Sequence, residues 1–380
     1  MDIKELRAQI DEIDEKIVEL FRERMGVALG VAEYKRERGM AVYDPARERA
    51  LFARIHEMAG EEMGDYAVTL YKSVTELSRT YQHHLLDPEP RIKREIESTI
   101  EKSPRMLPKY ARVACQGVEG AYSQIAAARM FDNPRISYYG DFADIFRAVE
   151  AGECDYGMLP IENSTAGSVN RVYDLLKKSR ATIVKSTRIK IDHNLLAKVG
   201  VDKGSIREIF SHEQAINQCA GYLGTLEGVK VTVCANTAMA AKSVAESDRS
   251  DVAALSSYSC ADLYGLRIVE SSVQDMQNNY TRFICISREP QILPGADRTS
   301  VILKTPHVPG ALYHTLARIN SHGVNLIKLE SRPIPERDFE FMFYFDMEAS
   351  VYSPELVELL GELEANSEDF RYLGSYSELI

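Results

Sequence analysis

The chain has 380 residues and a formal net charge of −11, with 45% hydrophobic and 27% charged residues. This is the balance of a soluble protein with length for roughly two to four domains, each able to bury a core. The acidic balance and the absence of a long basic run argue against nucleic acid or membrane as partners, while a local basic pocket for a small acidic metabolite remains open.

No apolar stretch approaches the length of a membrane span, and residues 1–21 carry a charge every few positions, so a cytoplasmic protein is expected. Within residues 1–87, Ile3, Leu6, Ile10, Ile13, Ile17 and Leu20 repeat at alternating three and four, the seam of a helix that pairs with another. Continued, the register reaches Arg24, a cation on an apolar seam that must find an anion or water. Lys35 lies about 20° around the helix from Arg24, whereas Arg7 is about 25 Å away along the axis and is placed to serve a partner's pocket in an antiparallel dimer. Asp44-Pro45 starts a second helix, with Arg47 and Glu48 in its first turns. A break is expected over 60–64 and a third helix over 65–85, with Val74, Leu77, Tyr81 and Leu85 as its inner stripe and Ser78 and Gln82 as an i, i+4 pair beside it.

Leu6-Arg7, Arg24, Lys35, Asp44-x-x-Arg47-Glu48 and Ser78-x-x-x-Gln82 resemble, in order and spacing, the pattern of the all-helical chorismate mutase family. The resemblance implies three helices in an intertwined homodimer or higher homo-oligomer and a one-step rearrangement of chorismate to prephenate. Arg7, Arg24 and Arg47 would then clamp carboxylates, Lys35 and Gln82 would donate to the ether oxygen, and Glu48 would hold the substrate hydroxyl. Asp44 and Ser78 would complete the substrate contacts.

Residues 88–109 form a charge-rich, proline-flanked linker in which a short exposed helix is expected. From 110 to 288, apolar runs at 111–115, 156–159, 206–210, 229–234, 252–255 and 283–286 alternate with helical patterns, which argues for βαβ units in a two-lobed α/β domain. The six cysteines lie here without C-x-x-C spacing, and buried thiols are expected rather than a metal site or disulfides. Polar turns follow the apolar runs. Pro160-Ile161-Glu162-Asn163-Ser164-Thr165-Ala166-Gly167 gathers hydrogen-bonding groups before a helix, although capping alone accounts for Ser and Thr there. Gly117 to Ser123 lacks both the G-x-G-x-x-G spacing and a P-loop lysine, which weakens a nucleotide reading. His193 and His212 invite a Ser/His triad, but no Asp is placed behind either, so a structural or hydrogen-bonding histidine is the stronger reading.

Tyr122-Ser123, Ile161-Glu162-Asn163-Ser164 with Gly167, His193, Ser211-His212 to Gln218 and Thr281-Arg282-Phe283 are together similar to prephenate dehydratase; Val118 stands where many members have Pro. The resemblance implies loss of carbon dioxide and water from prephenate to give phenylpyruvate. Thr281 would assist the departing hydroxyl, with Glu162, Asn163, Ser211 and Gln218 fixing the ring hydroxyl and carboxylates. Ser164 would touch substrate and Arg282 would balance charge nearby.

Residues 298–380 read as strand, helix, strand, strand, helix, strand, the α+β order of a ferredoxin-like sandwich. Pro309-Gly310-Ala311-Leu312 and Glu330-Ser331-Arg332-Pro333 look like the two signatures of the ACT domain of phenylalanine-regulated members. L-Phe is then expected as effector, received by the amides of Gly310, Ala311 and Leu312, with Glu330 and Ser331 at a dimer contact. The whole pattern resembles the bifunctional mutase–dehydratase family, which uses neither metal nor organic cofactor. A rival reading is a two-lobed binding protein whose helical head only dimerises; another is a dehydratase preferring arogenate, the amino-acid form of the substrate.

Overall fold

The structure, a computed structural model, describes residues 2–40, 44–82, 90–334 and 340–380 together with the backbone of 83–86. The side chain of Leu85, residue 87 at the end of the expected helical domain, residues 88 and 89 of the expected linker and Phe339 at an expected strand start lie outside the described residues. No described helix is long and apolar enough to cross a membrane.

The helical head consists of α1 (Ile3–Glu37) and α2 (Pro45–Leu86). Asp44 caps α2, its Oδ1 accepting from the Arg47 N–H at 3.0 Å, and Pro45 takes the first helical position. The expected break falls at Gly60, where φ 75° and ψ 172° interrupt the helix. Ile10, Ile13, Ile17 and Leu20 are each more than half exposed, so the seam of α1 is uncovered among the described residues. The expected inner stripe is corrected: Leu77 and Tyr81 are exposed, and the inward face carries Thr75, Glu76, Ser78 and Gln82. That face meets His314 and Arg318 of a C-terminal helix, which offer Glu76 partners that water would otherwise supply.

The linker helix α3 (Arg91–Lys102) forms but is not exposed. Ile92 and Ile96, one turn apart, are buried in the C-terminal core with Leu356, Leu359 and Leu360, and Arg91 pairs with Glu364 at 2.5 Å.

The first α/β lobe runs β1 (Arg112–Gln116), α4 (Tyr122–Met130), β2 (Arg135–Tyr139), α5 (Phe142–Glu150), β3 (Tyr156–Asn163), β4 (Gly167–Ser168), α6 (Asn170–Lys178) and β5 (Thr182–Lys190). The second runs β6 (Asn194–Lys198), β7 (Glu208–Ser211), α7 (Glu213–Gln218), α8 (Ala220–Gly224), β8 (Lys230–Val233), α9 (Thr237–Glu246), β9 (Val252–Ser256), α10 (Tyr258–Tyr264) and β10 (Leu266–Glu270). β11 (Tyr280–Ser287) returns to the first lobe, antiparallel between β3 and β5. The chain therefore crosses between lobes twice, before β6 and before β11. As the alternation implies, β1 pairs in parallel with β2 and β3, and β7 with β8 and β9. The polar turn begins later than the sequence suggests, because β3 continues through Pro160 at a register shift against β11. All six thiols are free, and burial pushes Cys115 and Cys219 up to about 12.

β12 (Arg298–Lys304), α11 (Ala311–Ser321), β13 (Asn325–Pro333), β14 (Phe341–Glu348), α12 (Pro354–Ala365) and β15 (Asp369–Tyr376) build a sheet ordered β13-β14-β12-β15, the ferredoxin-like arrangement. This sheet shares a core with the first lobe, where Ile302, Tyr344 and Leu373 pack with Leu159, Ile183 and Ile284. Gly374 (φ 136°) permits the contact, since a Cβ there would stand 2.2 Å from the Ile183 carbonyl oxygen. β16 (Glu378–Leu379) then joins the first-lobe sheet beside β5, with Glu378 held by Arg188 at 2.9 Å and Arg298 at 3.4 Å.

Candidate functional site

In the β3–β11 pairing, Asn163 lies opposite Thr281 and Glu162 opposite Arg282. Neighbouring side chains on a strand point to opposite faces, so Asn163 and Thr281 share one face and Glu162 and Arg282 the other. On the first face, Asn163 Nδ2 donates to Thr281 Oγ1 at 2.9 Å and to Asn279 Oδ1 at 2.8 Å. Asn163 Oδ1 accepts from the N–H groups of Thr165 at 3.1 Å and Ala166 at 2.8 Å, and from the Thr165 hydroxyl at 2.7 Å. Gln218, at the end of α7, donates from Nε2 to Thr165 Oγ1 at 2.9 Å, which ties the second lobe to the first. Its Oε1 meets Asn279 Nδ2 at 3.0 Å and His193 Nε2 at 2.9 Å. A polar cavity of about 380 Å³ opens beside this cluster, lined by Thr165, Ala166, His212, Gln214 and Gln218.

Thr165, His193 and Asn279 are the members that sequence reasoning left out of the site. Asn279 stands two residues before Thr281 at the strand entrance, the spacing that returns a side chain to the same face, and that period was the available signal. His193 and Asn279 are 2% and 1% exposed. Burial pulls the His193 imidazole below its ordinary value, against a smaller upward pull from its bond to Gln218, which leaves it neutral near pH 7.

Four nominated residues are placed elsewhere. Glu162 accepts from Lys328 of β13 at 2.8 Å, and Arg282 forms a buried ion pair with Asp346 of β14. Both therefore face the C-terminal domain, because the strand period turns them from the cleft. Ser211 is fully buried and donates to the Leu255 carbonyl at 2.8 Å on the adjoining strand. Ser164 donates to the Asn278 carbonyl at 3.1 Å and accepts from the Tyr280 N–H at 2.9 Å, closing the end of the β3–β11 ladder. No Ser/His triad is assembled: His193 Nδ1 lacks a partner among the described residues, and His212 Nδ1 caps α7 by accepting from the Gln214 N–H at 3.3 Å.

In the helical head, Arg24, Lys35 and Glu48 are half-buried, while Arg7, Asp44 and Arg47 are exposed. Glu48 pairs with Arg79, a cation the sequence pattern did not single out. The buried Gln82 donates to Ser78 Oγ at 3.2 Å, and its Oε1 is without a partner among the described residues. Because α1 is unbroken, Arg7 stays about 25 Å from Arg24 along the axis. In the C-terminal domain, Gly310 adopts φ 85° and leads Ala311 and Leu312 into the first turn of α11. Glu330 accepts from Ser168 of the first lobe, whereas Ser331 is exposed.

A helical head with basic and amide side chains, joined to a two-lobed α/β unit with a hydrogen-bonded cleft, defines a two-site enzyme acting on small polar metabolites. Residues 6–83 match the family model for chorismate mutase type II, and residues 113–291 match that for prephenate dehydratase. A relative from Escherichia coli (strain K12), bifunctional chorismate mutase/prephenate dehydratase, is 33% identical over 381 residues, covering 98% of this chain and 95% of that protein. Arogenate dehydratase/prephenate dehydratase 1 of Arabidopsis thaliana is 38% identical over 282 residues, covering 70% of this chain and 71% of its own length. The solved structure of prephenate dehydratase from Arthrobacter aurescens in complex with L-Phe is 28% identical with a TM-score of 0.63, covering 70% of this chain and 90% of that one. The chain belongs to the bifunctional chorismate mutase/prephenate dehydratase family and carries an isomerase and a carbon-oxygen lyase on one polypeptide.

Proposed function

We propose that the helical head converts chorismate to prephenate and that the cleft between the α/β lobes converts prephenate to phenylpyruvate, carbon dioxide and water. Thr281 Oγ1 accepts from Asn163 at 2.9 Å, and this one observation carries the dehydratase reading. With its lone pair engaged, the hydroxyl keeps its hydrogen for the oxygen that leaves the ring. As the carboxylate carbon departs as carbon dioxide, its bonding pair enters the ring and the ring C–O bond breaks. The hydrogen bond from Thr281 offsets charge on the departing oxygen, and a proton taken up from solvent completes water.

In the head, a pericyclic shift needs only a held conformer and stabilised charge on the ether oxygen. Arg24, Arg47 and the partner's copy of Arg7 clamp carboxylates, Lys35 and Gln82 donate to the ether oxygen, Glu48 holds the hydroxyl, and Asp44 and Ser78 support them. The uncovered seam of α1 supports a homodimer. Prephenate is favoured over arogenate because the head on the same chain makes prephenate. The C-terminal domain is read as an ACT domain that binds L-Phe near Gly310, Ala311 and Leu312; the L-Phe complex of the similar dehydratase supports this.

Thr281→Ala is expected to lower the dehydratase kcat by about 100- to 1,000-fold, the cost of losing one preorganised donor, and to leave mutase kcat unchanged. Retention of dehydratase activity overturns the assignment of Thr281. Dehydratase kcat/KM on prephenate and on arogenate decides between the two substrates.

A further inference from the structure

The orientation of the Asn163, Asn279 and Gln218 amides in the dehydratase cleft follows from two main-chain groups. Asn163 Oδ1 faces the N–H of Thr165 and of Ala166, and a main-chain N–H can only donate. Asn163 must then turn Nδ2 toward Thr281 Oγ1 and Asn279 Oδ1. Asn279, having offered its oxygen, presents Nδ2 to Gln218, which must meet it with Oε1. The remaining Gln218 nitrogen goes to Thr165 Oγ1, and the Thr165 hydrogen returns to Asn163 Oδ1, closing a ring of four side chains. His193 approaches Gln218 Oε1 with Nε2 at 2.9 Å, so its hydrogen sits on Nε2. Each bond in the ring excludes the flipped form of its neighbour.

We infer that His193 and Asn279 are positioning residues of the dehydratase reaction. Through Gln218 and Asn163 they hold the amides in the orientation that the two main-chain groups set, so that Thr281 Oγ1 stays an acceptor from Asn163 and its hydrogen points to the substrate. Neither residue touches substrate in this arrangement. Their position at the two lobe crossings also makes the ring a lock on lobe geometry, since its members come from the first lobe, the second lobe and the connection before β11, and His193 braces it from the connection before β6. The inference rests on Thr281 as the donor, and Thr281→Ala tests that part alone.

The experiment measures dehydratase kcat and KM on prephenate in the full chain, with mutase kcat on chorismate as the internal measure of folding. His193→Leu and Asn279→Ala are expected to lower dehydratase kcat by about 10- to 100-fold with KM changed less than about threefold, the signature of a misdirected rather than missing group. His193→Gln, whose amide nitrogen reaches the position of Nε2, restores most of the rate. His193→Asn, whose amide ends near Nδ1, does not. Wild-type kcat in His193→Leu and Asn279→Ala, equal rates in the Gln and Asn variants, or a rise in KM at constant kcat overturns the inference. Should His193→Leu lose mutase activity as well, the Gln and Asn pair, similar in size and polarity, decides. If Thr281→Ala is inactive while His193→Leu keeps its rate, only the positioning role fails; if Thr281→Ala stays active, the donor assignment itself fails.

Discussion

Arg282 and Asp346 form an ion pair buried at the seam between the dehydratase and the C-terminal domain, with side chains 5% and 0% exposed. Asp346 Oδ1 also accepts from Ser300 at 2.9 Å and Tyr376 at 3.0 Å. Burial, the largest single influence, disfavours the Arg282 charge, but the attraction of Asp346 together with those of Tyr376 and Tyr344 raises the guanidinium above its ordinary value. Thr281, the adjacent residue, faces the cleft. One strand therefore presents the hydroxyl proposed to assist the reaction to one side and a domain contact to the other, so a shift of β14 against β11 has a short path to the proposed site.

Asp346→Ala is expected to destabilise the dehydratase and C-terminal unit by about 3–5 kcal/mol, because it leaves a guanidinium buried without its counter-charge. The double variant Arg282→Met with Asp346→Ala should recover much of that loss, since no lone charge remains. Calorimetry of the single and double variants checks this; a double variant less stable than Asp346→Ala would contradict it.

The C-terminal domain also grips the helical head. Glu76 of α2 pairs with His314 and Arg318 of α11, the helix that begins at Gly310. Two residues beyond Glu76 stands Ser78, then Arg79 on Glu48, then Gln82. If L-Phe binds at the start of α11, this contact carries its effect to the mutase. Glu76→Ala is expected to leave dehydratase inhibition by L-Phe intact and to abolish any response of mutase rate to L-Phe. Equal sensitivity of the mutase in both proteins would exclude the route.

The domain plan and most strands were legible because buried β-branched runs and helical periods are local signals. Glu162 and Arg282 were placed in the cleft wrongly for a reason equally physical: a motif read as a string hides that a strand sends consecutive side chains to opposite faces. α3 was misjudged because its partner, α12, lies far along the chain, so two isoleucines in a charged segment had no visible core to enter. The polar face of α2 around Glu76 has the same origin, since His314 and Arg318 are distant in sequence. His193 was recognisable as a hydrogen-bonding histidine, but its partner Gln218 emerges only when the lobes close.

The exposed seam of α1 predicts association through the head. Ile10→Lys and Ile17→Lys together should place two charges on a surface that otherwise buries apolar side chains, disfavouring pairing by roughly 2 kcal/mol or more per site. Sedimentation should show a smaller species, and mutase activity should fall because Arg7 no longer reaches a neighbouring pocket, while dehydratase activity persists. An unchanged sedimentation coefficient with full mutase activity would remove the paired-helix arrangement.

His193 gives the stability of the protein an acid-side slope. Its folded value lies below the 6.5 of a free imidazole, chiefly through burial. As pH falls through 6.5, the unfolded chain takes up a proton that the folded cleft refuses, so the unfolded state binds more protons and stability drops. The loss begins near the unfolded value and continues until pH reaches the lowered folded value; well above 6.5 neither state is charged and no slope arises from this residue. His193→Gln keeps a donor to Gln218 but cannot titrate. Between about pH 7.5 and about pH 5.5, the melting temperature of the variant should therefore decline less than that of the parent chain, with the other seven histidines common to both. Parallel declines would mean that His193 is protonated as readily folded as unfolded, which a buried imidazole whose Nδ1 has no partner among the described residues does not allow.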